Sequence, residues 1–186
     1  MHRNKPRASA ARKIPVTVTY LEMLAKPAPP ASRTHEENTI ISRVLRPTVP
    51  FYRFLYNTVG QPWLWYERRQ MRDEALCEII QSPLTEIYVL YTAGAPAGYA
   101  ELDLRHMPDI ELAYFGLMPE YFGRGMGTFL MEHITAQAWS RVPRRFWLHT
   151  CTLDHPHALA FYRRAGFAPY AQETKWIDDP RALGVM

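Results

Sequence analysis

The run over 111–127 passes from an alternating apolar strand into an amphipathic helix through a turn rich in glycine. Three glycines alternate with larger residues over 123–127, which leaves bare backbone amides where the chain turns. Because helix N-termini carry unpaired N–H groups and a partial positive charge, this turn predicts an anion-binding site. After the turn, Leu130, Ile134 and Ala138 recur at four-residue spacing and predict one buried helix face. The combination favours a ligand that carries phosphate.

The spacing of the glycines disfavours two common nucleotide-binding motifs. No Lys-Ser or Lys-Thr pair follows them, as a P-loop requires, and no dinucleotide-binding βαβ unit precedes them. A second segment narrows the choice, because 155–165 is predicted to form a short helix. Asp154 is its predicted N-cap, Pro156 lies in its first turn and Gly166 ends it.

Together the two segments resemble the GNAT superfamily of acetyl-CoA-dependent N-acetyltransferases. The family signature is Arg/Gln-x-x-Gly-x-Gly/Ala after a hydrophobic-x-Pro-Glu turn, and it is similar to Leu117–Glu120 followed by 122–127. The second hallmark, an Ala-x-x-x-Tyr step in a helix that ends in Gly-Phe, is matched over 158–167. One departure is Phe122, which stands where the family usually has Arg or Gln.

The resemblance implies an α/β (α+β) GNAT fold, with a mixed central sheet of about six to seven strands flanked by about four helices. From Ile40 onward, the hydrophobic patterns predict elements in the order β-α-α-β-β-β-α-β-α-β, which matches that fold. An extra N-terminal strand over 16–20 is expected to lie outside the family core. We therefore divide the chain into an N-terminal extension, 1–38, with a basic arm and a Pro-rich linker, and a GNAT domain, 39–186.

The resemblance also implies acetyl-CoA as the co-substrate and assigns its contacts. The backbone N–H of Phe115 is expected to hold the acetyl oxygen, and Leu117 to pair with the pantetheine arm as a neighbouring strand does. The pyrophosphate is expected on the amides of the glycine turn, with Arg124 as a charge-assisted partner. The cofactor-binding residues predicted in this way are Phe115, Leu117, Met118, Phe122, Gly123, Arg124, Gly125, Met126, Gly127, Thr128 and His155.

Acetyl transfer to an amine needs a base, because a lysine-like amine has a pKa of about 10.4 and attacks only when it is uncharged. Glu111 lies six residues before Leu117, where the lysine-acetylating branch of the family places its general base. A surface glutamate at a strand start is the alternative, with Glu101 and Asp103 as substitute carboxylates. The resemblance likewise implies that Tyr162 donates a proton to the CoA thiolate, and the alternative is a packed aromatic side chain.

The segment between the first two predicted helices is dense in aromatic side chains and contains one carboxylate. In the GNAT fold this segment commonly borders the acceptor cleft, and ring faces and a carboxylate attract a cationic amine. The residues predicted to bind the acceptor are Trp63, Trp65, Tyr66 and Glu67, with closure of a core edge as the alternative. The acceptor stays open between a protein lysine and a small-molecule amine.

The function that the resemblance implies is transfer of an acetyl group from acetyl-CoA to a primary amine by direct attack in a ternary complex. The alternative is a non-catalytic CoA-binding module with a regulatory role, and the presence of both Glu111 and Tyr162 favours the enzyme. The expected partners are acetyl-CoA and an amine acceptor, and a homodimer is left open.

Composition limits the remaining classes. The 186 residues are 47% hydrophobic, which excludes a disordered chain, and no apolar run approaches the roughly 18 residues of a membrane span. Two cysteines, Cys77 and Cys151, suggest no disulfide scaffold, so we expect a cytoplasmic protein. The basic residues are scattered beyond the N-terminal arm, which argues against a nucleic-acid partner. His149, His155 and His157 with Cys151 fit no paired zinc-ligand spacing, so no metal is expected.

Overall fold

A mixed sheet of seven strands organises the part of the chain that this computed structural model describes, residues 12–28, 38–182 and 184. The strands are β1 (Lys13–Met23), β2 (Thr39–Val44), β3 (Thr85–Thr92), β4 (Ala95–Asp103), β5 (Asp109–Leu117), β6 (Arg145–Cys151) and β7 (Ala168–Asp178). The helices are α1 (Val49–Gly60), α2 (Glu67–Gln70), α3 (Asp73–Ile80), α4 (Met126–Trp139) and α5 (Ala158–Arg164). Short 3₁₀ turns lie at Gln61–Trp63 and Pro119–Tyr121.

The strands lie in the order β2-β3-β4-β5-β6-β1-β7, and all neighbours are antiparallel except β5 and β6. The predicted α/β class, the seven strands and the extra N-terminal strand are confirmed. That strand is not peripheral, because β1 pairs with β6 along one edge and with β7 along the other. β1 is therefore an inner strand of the sheet, while its expected place outside the family core and a domain boundary at residue 38 stay predictions.

Each face of the sheet carries its own hydrophobic core. On one face α4 and α5 pack against the strands, and the four-residue spacing of Leu130, Ile134 and Ala138 buries those side chains as predicted. On the other face α1 and α3 contribute a second core that includes Leu55 and Leu76. The helices therefore lie on both sides of the sheet.

Local signals in the sequence explain where several helices begin and end. The Thr48 side chain accepts a hydrogen bond of 3.4 Å from the backbone N–H of Phe51 and caps α1 as predicted. Gly166 follows α5 with a φ of +104°, a conformation that favours glycine and ends the helix. The prediction of Asp154 as the N-cap of α5 is wrong, because His157 holds that position.

Strands β5 and β6 pair over three residues only, Asp109–Glu111 against Arg145–Trp147. Beyond them the described strands part, and 112–117 has no partner on the β6 side. On its other side β5 pairs with β4 through a register shift that leaves Ala113 as an extra residue. The shift reverses the alternation of side chains, so Glu111 faces the side of α1 and α3, whereas Phe115 packs on the side of α4.

The position of β1 inside the sheet can be tested at Leu21, which is fully buried. Truncating a buried leucine to alanine typically costs about 2–5 kcal/mol, so we expect Leu21→Ala to lower the free energy of unfolding by that amount in a urea titration. Leu24→Ala is the matched control, because Leu24 is 66% exposed just beyond the strand. Equally small effects of the two substitutions would contradict the inner position of β1.

Candidate active site

A cavity of about 930 Å³ opens where β5 and β6 part. Most of the predicted site residues line this cavity, although they come from distant parts of the chain. The predicted residues that line it are Trp63, Trp65, Tyr66, Glu67, Glu111, Phe115, Leu117, Phe122, Gly123, Gly125, Gly127, Thr128, His155 and Tyr162. Met118, Arg124 and Met126 do not line it: the two methionines are buried in the cores, and Arg124 is exposed on the turn.

The glycine turn has the backbone that an anion cradle needs. Gly123 and Gly125 have φ values of +77° and +76°, in the left-handed region that favours glycine. A Cβ at either position would meet no atom within 4 Å, so the space above the turn is open. Gly125 is the N-cap residue of α4, and no side chain caps this helix. The first amides of a 14-residue helix are thus left for a ligand, and the turn fits a pyrophosphate.

The parted edge of β5 supplies a second set of backbone groups. The residues over 112–117 have no β6 partner, so an extended ligand can pair with this edge as a strand would. Gly116 lies in this stretch and lines the cavity, and a Cβ there would come within 2.4 Å of the Val59 side chain. Glycine at this position therefore lets α1 pack closely against the strand.

Glu111 is the last residue of β5 that pairs with β6, and its side chain lies beside His149 of β6. The Nδ1 atom of His149 is 3.4 Å from Oε1 of Glu111, and the Glu111 side chain is 18% exposed. This hydrogen bond raises the pKa of His149 above its ordinary value, although burial lowers it. Tyr20 and Trp147 flank the imidazole with ring centroids 6.0 and 6.4 Å away. Sequence reasoning considered His149 only as a metal ligand and missed this pair.

Tyr162 lies on α5 and lines the cavity. Its ring contacts Phe115 and Phe161, with centroids 6.2 and 5.6 Å away. Burial raises the pKa of the phenol well above its ordinary value, so the hydroxyl keeps its proton at neutral pH. No described residue forms a hydrogen bond with this hydroxyl, which leaves it available to a ligand in the cavity.

Asp154 organises the far wall of the cavity. Its carboxylate accepts hydrogen bonds of 2.8 Å from the Thr150 hydroxyl and from the backbone N–H of Cys151. The other oxygen accepts a hydrogen bond of 3.4 Å from Nε1 of Trp65, which connects the segment over 63–67 to the end of β6. Burial raises the pKa of the Cys151 thiol to about 11, so this cysteine is a neutral thiol and a poor nucleophile at pH 7.

The segment over 63–67 forms the wall opposite the strands. Trp65 packs against Tyr56 and Tyr114 with ring centroids 5.4 and 5.2 Å away. The Tyr114 hydroxyl donates a hydrogen bond of 3.3 Å to Glu67, whose side chain lines the cavity. Trp63 contacts His155 at 5.0 Å, and His155 in turn contacts Phe122 of the glycine turn. The segment thus connects the predicted acceptor residues with the predicted donor residues.

A buried ion pair holds this segment in place. Nη2 of Arg68 lies 2.7 Å from Oε1 of Glu101, and their side chains are 8% and 1% exposed. Tyr52 donates to the second carboxylate oxygen at 2.5 Å. Arg53 bonds the backbone carbonyls of Arg68, Arg69 and Met71 at 2.6–3.2 Å and so fixes α2 against α1. Glu101 is therefore engaged in structure, which removes it as a substitute for Glu111.

Two further features are absent from the parts of the chain that the structure describes. No cluster of three or more histidine, cysteine or acidic side chains there could hold a metal ion. None of the helices in those parts of the chain is long and apolar enough to cross a membrane.

A model of the acetyltransferase (GNAT) family matches residues 51–167, which include the glycine turn, the parting strands and α5. The chain belongs to the acetyltransferase (GNAT) family. The family predicted by resemblance, its fold and its class of enzyme are thereby confirmed at the level of the family. β1 and β7 lie outside the matched residues.

Individual relatives give the same family with limited coverage. The mycothiol acetyltransferase of Acidothermus cellulolyticus is 40% identical over 72 residues, which are 39% of this chain and 20% of that protein. A GCN5-related N-acetyltransferase from Sphaerobacter thermophilus superposes with a TM-score of 0.64 at 18% identity, over 90% of this chain and 55% of that one. The ribosomal-protein-S18-alanine N-acetyltransferase of Escherichia coli gives 0.57 at 18%, over 72% and 79% of the two chains. The two structures show a shared fold, and the chain spans only part of these relatives.

The contact between Glu111 and His149 can be measured without any substrate. Because the glutamate hydrogen bond is the main cause that raises the pKa of His149, Glu111→Gln should lower that pKa toward the ordinary value of about 6.5. Nuclear magnetic resonance titration of the imidazole protons reports the change. His133, which does not contact Glu111, is the internal control and should titrate alike in both proteins. An unchanged His149 titration would mean that the two side chains are apart in solution.

Proposed function

We propose that this protein is an N-acetyltransferase that moves an acetyl group from acetyl-CoA to a primary amine by direct attack in a ternary complex. The observation that carries the proposal is one cavity that contains an uncapped helix start, a free strand edge, a carboxylate and a protonated phenol. The family match makes acetyl-CoA the donor of choice, since this family uses it as co-substrate.

The donor is held chiefly by backbone groups. Its pyrophosphate lies on the amides at the start of α4, beside Gly123 and Gly125, and its pantetheine arm runs along the free edge of β5 near Leu117. The thioester then reaches the N–H of Phe115, which donates to the carbonyl oxygen as negative charge develops on it. Backbone binding accounts for the tolerance of Phe122 where the family usually has a charged or amide side chain.

Glu111 is the base in this proposal. It takes one proton from the substrate ammonium, directly or through a water molecule, so that the nitrogen lone pair becomes free to attack. His149 lies beside it, stabilises the carboxylate form when protonated and is 46% exposed, which gives the proton a route to solvent. In the reaction the nitrogen–carbon bond forms and the carbon–sulfur bond breaks, and the products are an amide, the CoA thiol and one proton.

Tyr162 is the acid in this proposal. Its raised pKa keeps the hydroxyl protonated at neutral pH, and the hydroxyl donates to the departing thiolate. The acceptor enters on the opposite side of the parting strands, between the carboxylates of Glu67 and Glu111 and the rings of Trp63, Trp65 and Tyr66, which all line the cavity.

Two substitutions separate donor binding from chemistry. Tyr162→Phe removes one hydroxyl, so we expect turnover to fall about 10²–10⁴-fold with an unchanged Kd for acetyl-CoA. Gly125→Asp puts a side chain and a negative charge into the turn, where φ is +76°, so we expect a much weaker Kd. Calorimetry gives the Kd, and release of CoA thiol with an excess of amine gives the turnover.

The same measurements distinguish the enzyme from a non-catalytic CoA-binding module. A module would bind acetyl-CoA, lose that binding in Gly125→Asp and acetylate no amine in the wild-type protein. Unchanged binding in Gly125→Asp would contradict the position of the donor, and unchanged turnover in Tyr162→Phe would leave this tyrosine with a packing role.

A further inference from the structure

Three neighbouring strands, β6, β1 and β7, build one wall of the cavity. Over 16–20, 147–151 and 175–177, every second residue lines the cavity, and the residues between them do not. Register explains the pattern, because residues directly opposite on paired strands point to the same face. The lining residues of these strands are Val16, Val18 and Tyr20, Trp147, His149 and Cys151, and Lys175 and Ile177.

This wall is mostly apolar and aromatic. Val16 and Val18 line the cavity and are 4% and 9% exposed, so the apolar surface they add is largely screened from solvent. Trp147 contacts Tyr20 with ring centroids 6.5 Å away and is partly buried. The facing segment over 63–66 adds Trp-Leu-Trp-Tyr, so a bound molecule is surrounded by rings and branched side chains on two sides.

Most charges in this half of the cavity are already paired. Glu111 is paired with His149, and Lys175 lies 2.8 Å from Glu173 and 3.2 Å from the Tyr20 hydroxyl. Asp154 accepts hydrogen bonds from three uncharged donors, the Thr150 hydroxyl, the Cys151 amide and the Trp65 indole. Glu67 has one hydrogen-bond partner among the described residues, the Tyr114 hydroxyl, and forms no ion pair there. The Glu67 carboxylate therefore suits one ammonium group, whereas a polycation needs several.

We propose that the acceptor is a monocationic primary amine with an aromatic or branched aliphatic body, and that the face of β1, β6 and β7 holds this body. The inference rests on the proposed acetyl transfer and names the substrate class for that same site. The ammonium lies between Glu67 and Glu111, and the body extends over Trp147 toward Val16 and Val18. Because β1 and β7 lie outside residues 51–167, this wall belongs to the part of the chain that the family model does not match.

A panel of amines tests the class on the wild-type protein. Ethylamine, 3-methylbutylamine and 2-phenylethylamine share one ammonium and differ in body, while spermidine, kanamycin and a lysine-containing peptide represent polycations and protein lysines. We expect kcat/KM to rise about ten-fold or more from ethylamine to the two larger amines, as apolar pockets discriminate by added carbon groups. We expect both larger amines to exceed spermidine, kanamycin and the peptide.

A matched pair of tryptophan substitutions tests the wall itself. Trp147 lines the cavity, whereas Trp176 of β7 is 64% exposed on the opposite face of the sheet. We expect Trp147→Ala to raise the KM for 2-phenylethylamine about ten-fold with little change for ethylamine or acetyl-CoA. Trp147→Phe should restore most of the loss, and Trp176→Ala should change neither KM. Thermal denaturation identifies any variant that fails to fold, and the wild-type panel then decides.

The outcomes separate this inference from the proposed function. Preference for spermidine, kanamycin or the peptide would overturn the substrate class and leave acetyl transfer standing. Equal effects of Trp147→Ala and Trp176→Ala in folded proteins would overturn the role of the wall. If no amine in the panel is acetylated while acetyl-CoA still binds, the proposed function fails together with the substrate class.

Discussion

The parting of β5 from β6 after three paired residues is the constraint on which the rest of the site depends. Backbone N–H and C=O groups at a strand edge need partners, and a stretch left without them inside a sheet is available to an extended ligand. The same parting separates β5 from β6 enough to leave a cavity of about 930 Å³. The glycine turn, which follows β5 after one 3₁₀ turn, also lines that cavity. One backbone feature thus creates both the space and the free backbone groups that the proposed donor needs.

The proposed acid and the proposed base lie on opposite faces of the sheet. Phe115 and Tyr162 lie on the side of α4 and α5, where the proposed proton donor meets the departing group. Glu111 and His149 lie on the other side, where the proposed acceptor enters, and the extra residue Ala113 in β5 produces this division. The buried ion pair of Arg68 and Glu101 holds the segment over 63–67 in place, because Arg68 directly follows it. Breaking such a pair would leave a charge without a partner in the interior. Strand β1, between β6 and β7, completes the side on which the proposed acceptor enters.

The sequence predicted most of the fold and the glycine turn that lines the cavity, because those depend on local signals. Glycines in a turn, a capping threonine and four-residue spacing of Leu130, Ile134 and Ala138 act over short distances along the chain. The wall formed by β1, β6 and β7 depends on pairing between distant segments, which no local pattern reveals. Val18 lies opposite Cys151 only because β1 inserts beside β6, and His149 meets Glu111 only through the parallel pairing of β5 and β6.

Hydrogen–deuterium exchange with and without acetyl-CoA tests the central claim, that the donor lies in the parting between β5 and β6. The account predicts slower exchange of the amides over 115–117 and 126–128 when acetyl-CoA is present, because both sets become hydrogen-bonded to it. The amides of β3, which is paired on both edges, should exchange alike in the two conditions. Binding of acetyl-CoA by calorimetry with no protection of either segment would contradict the account.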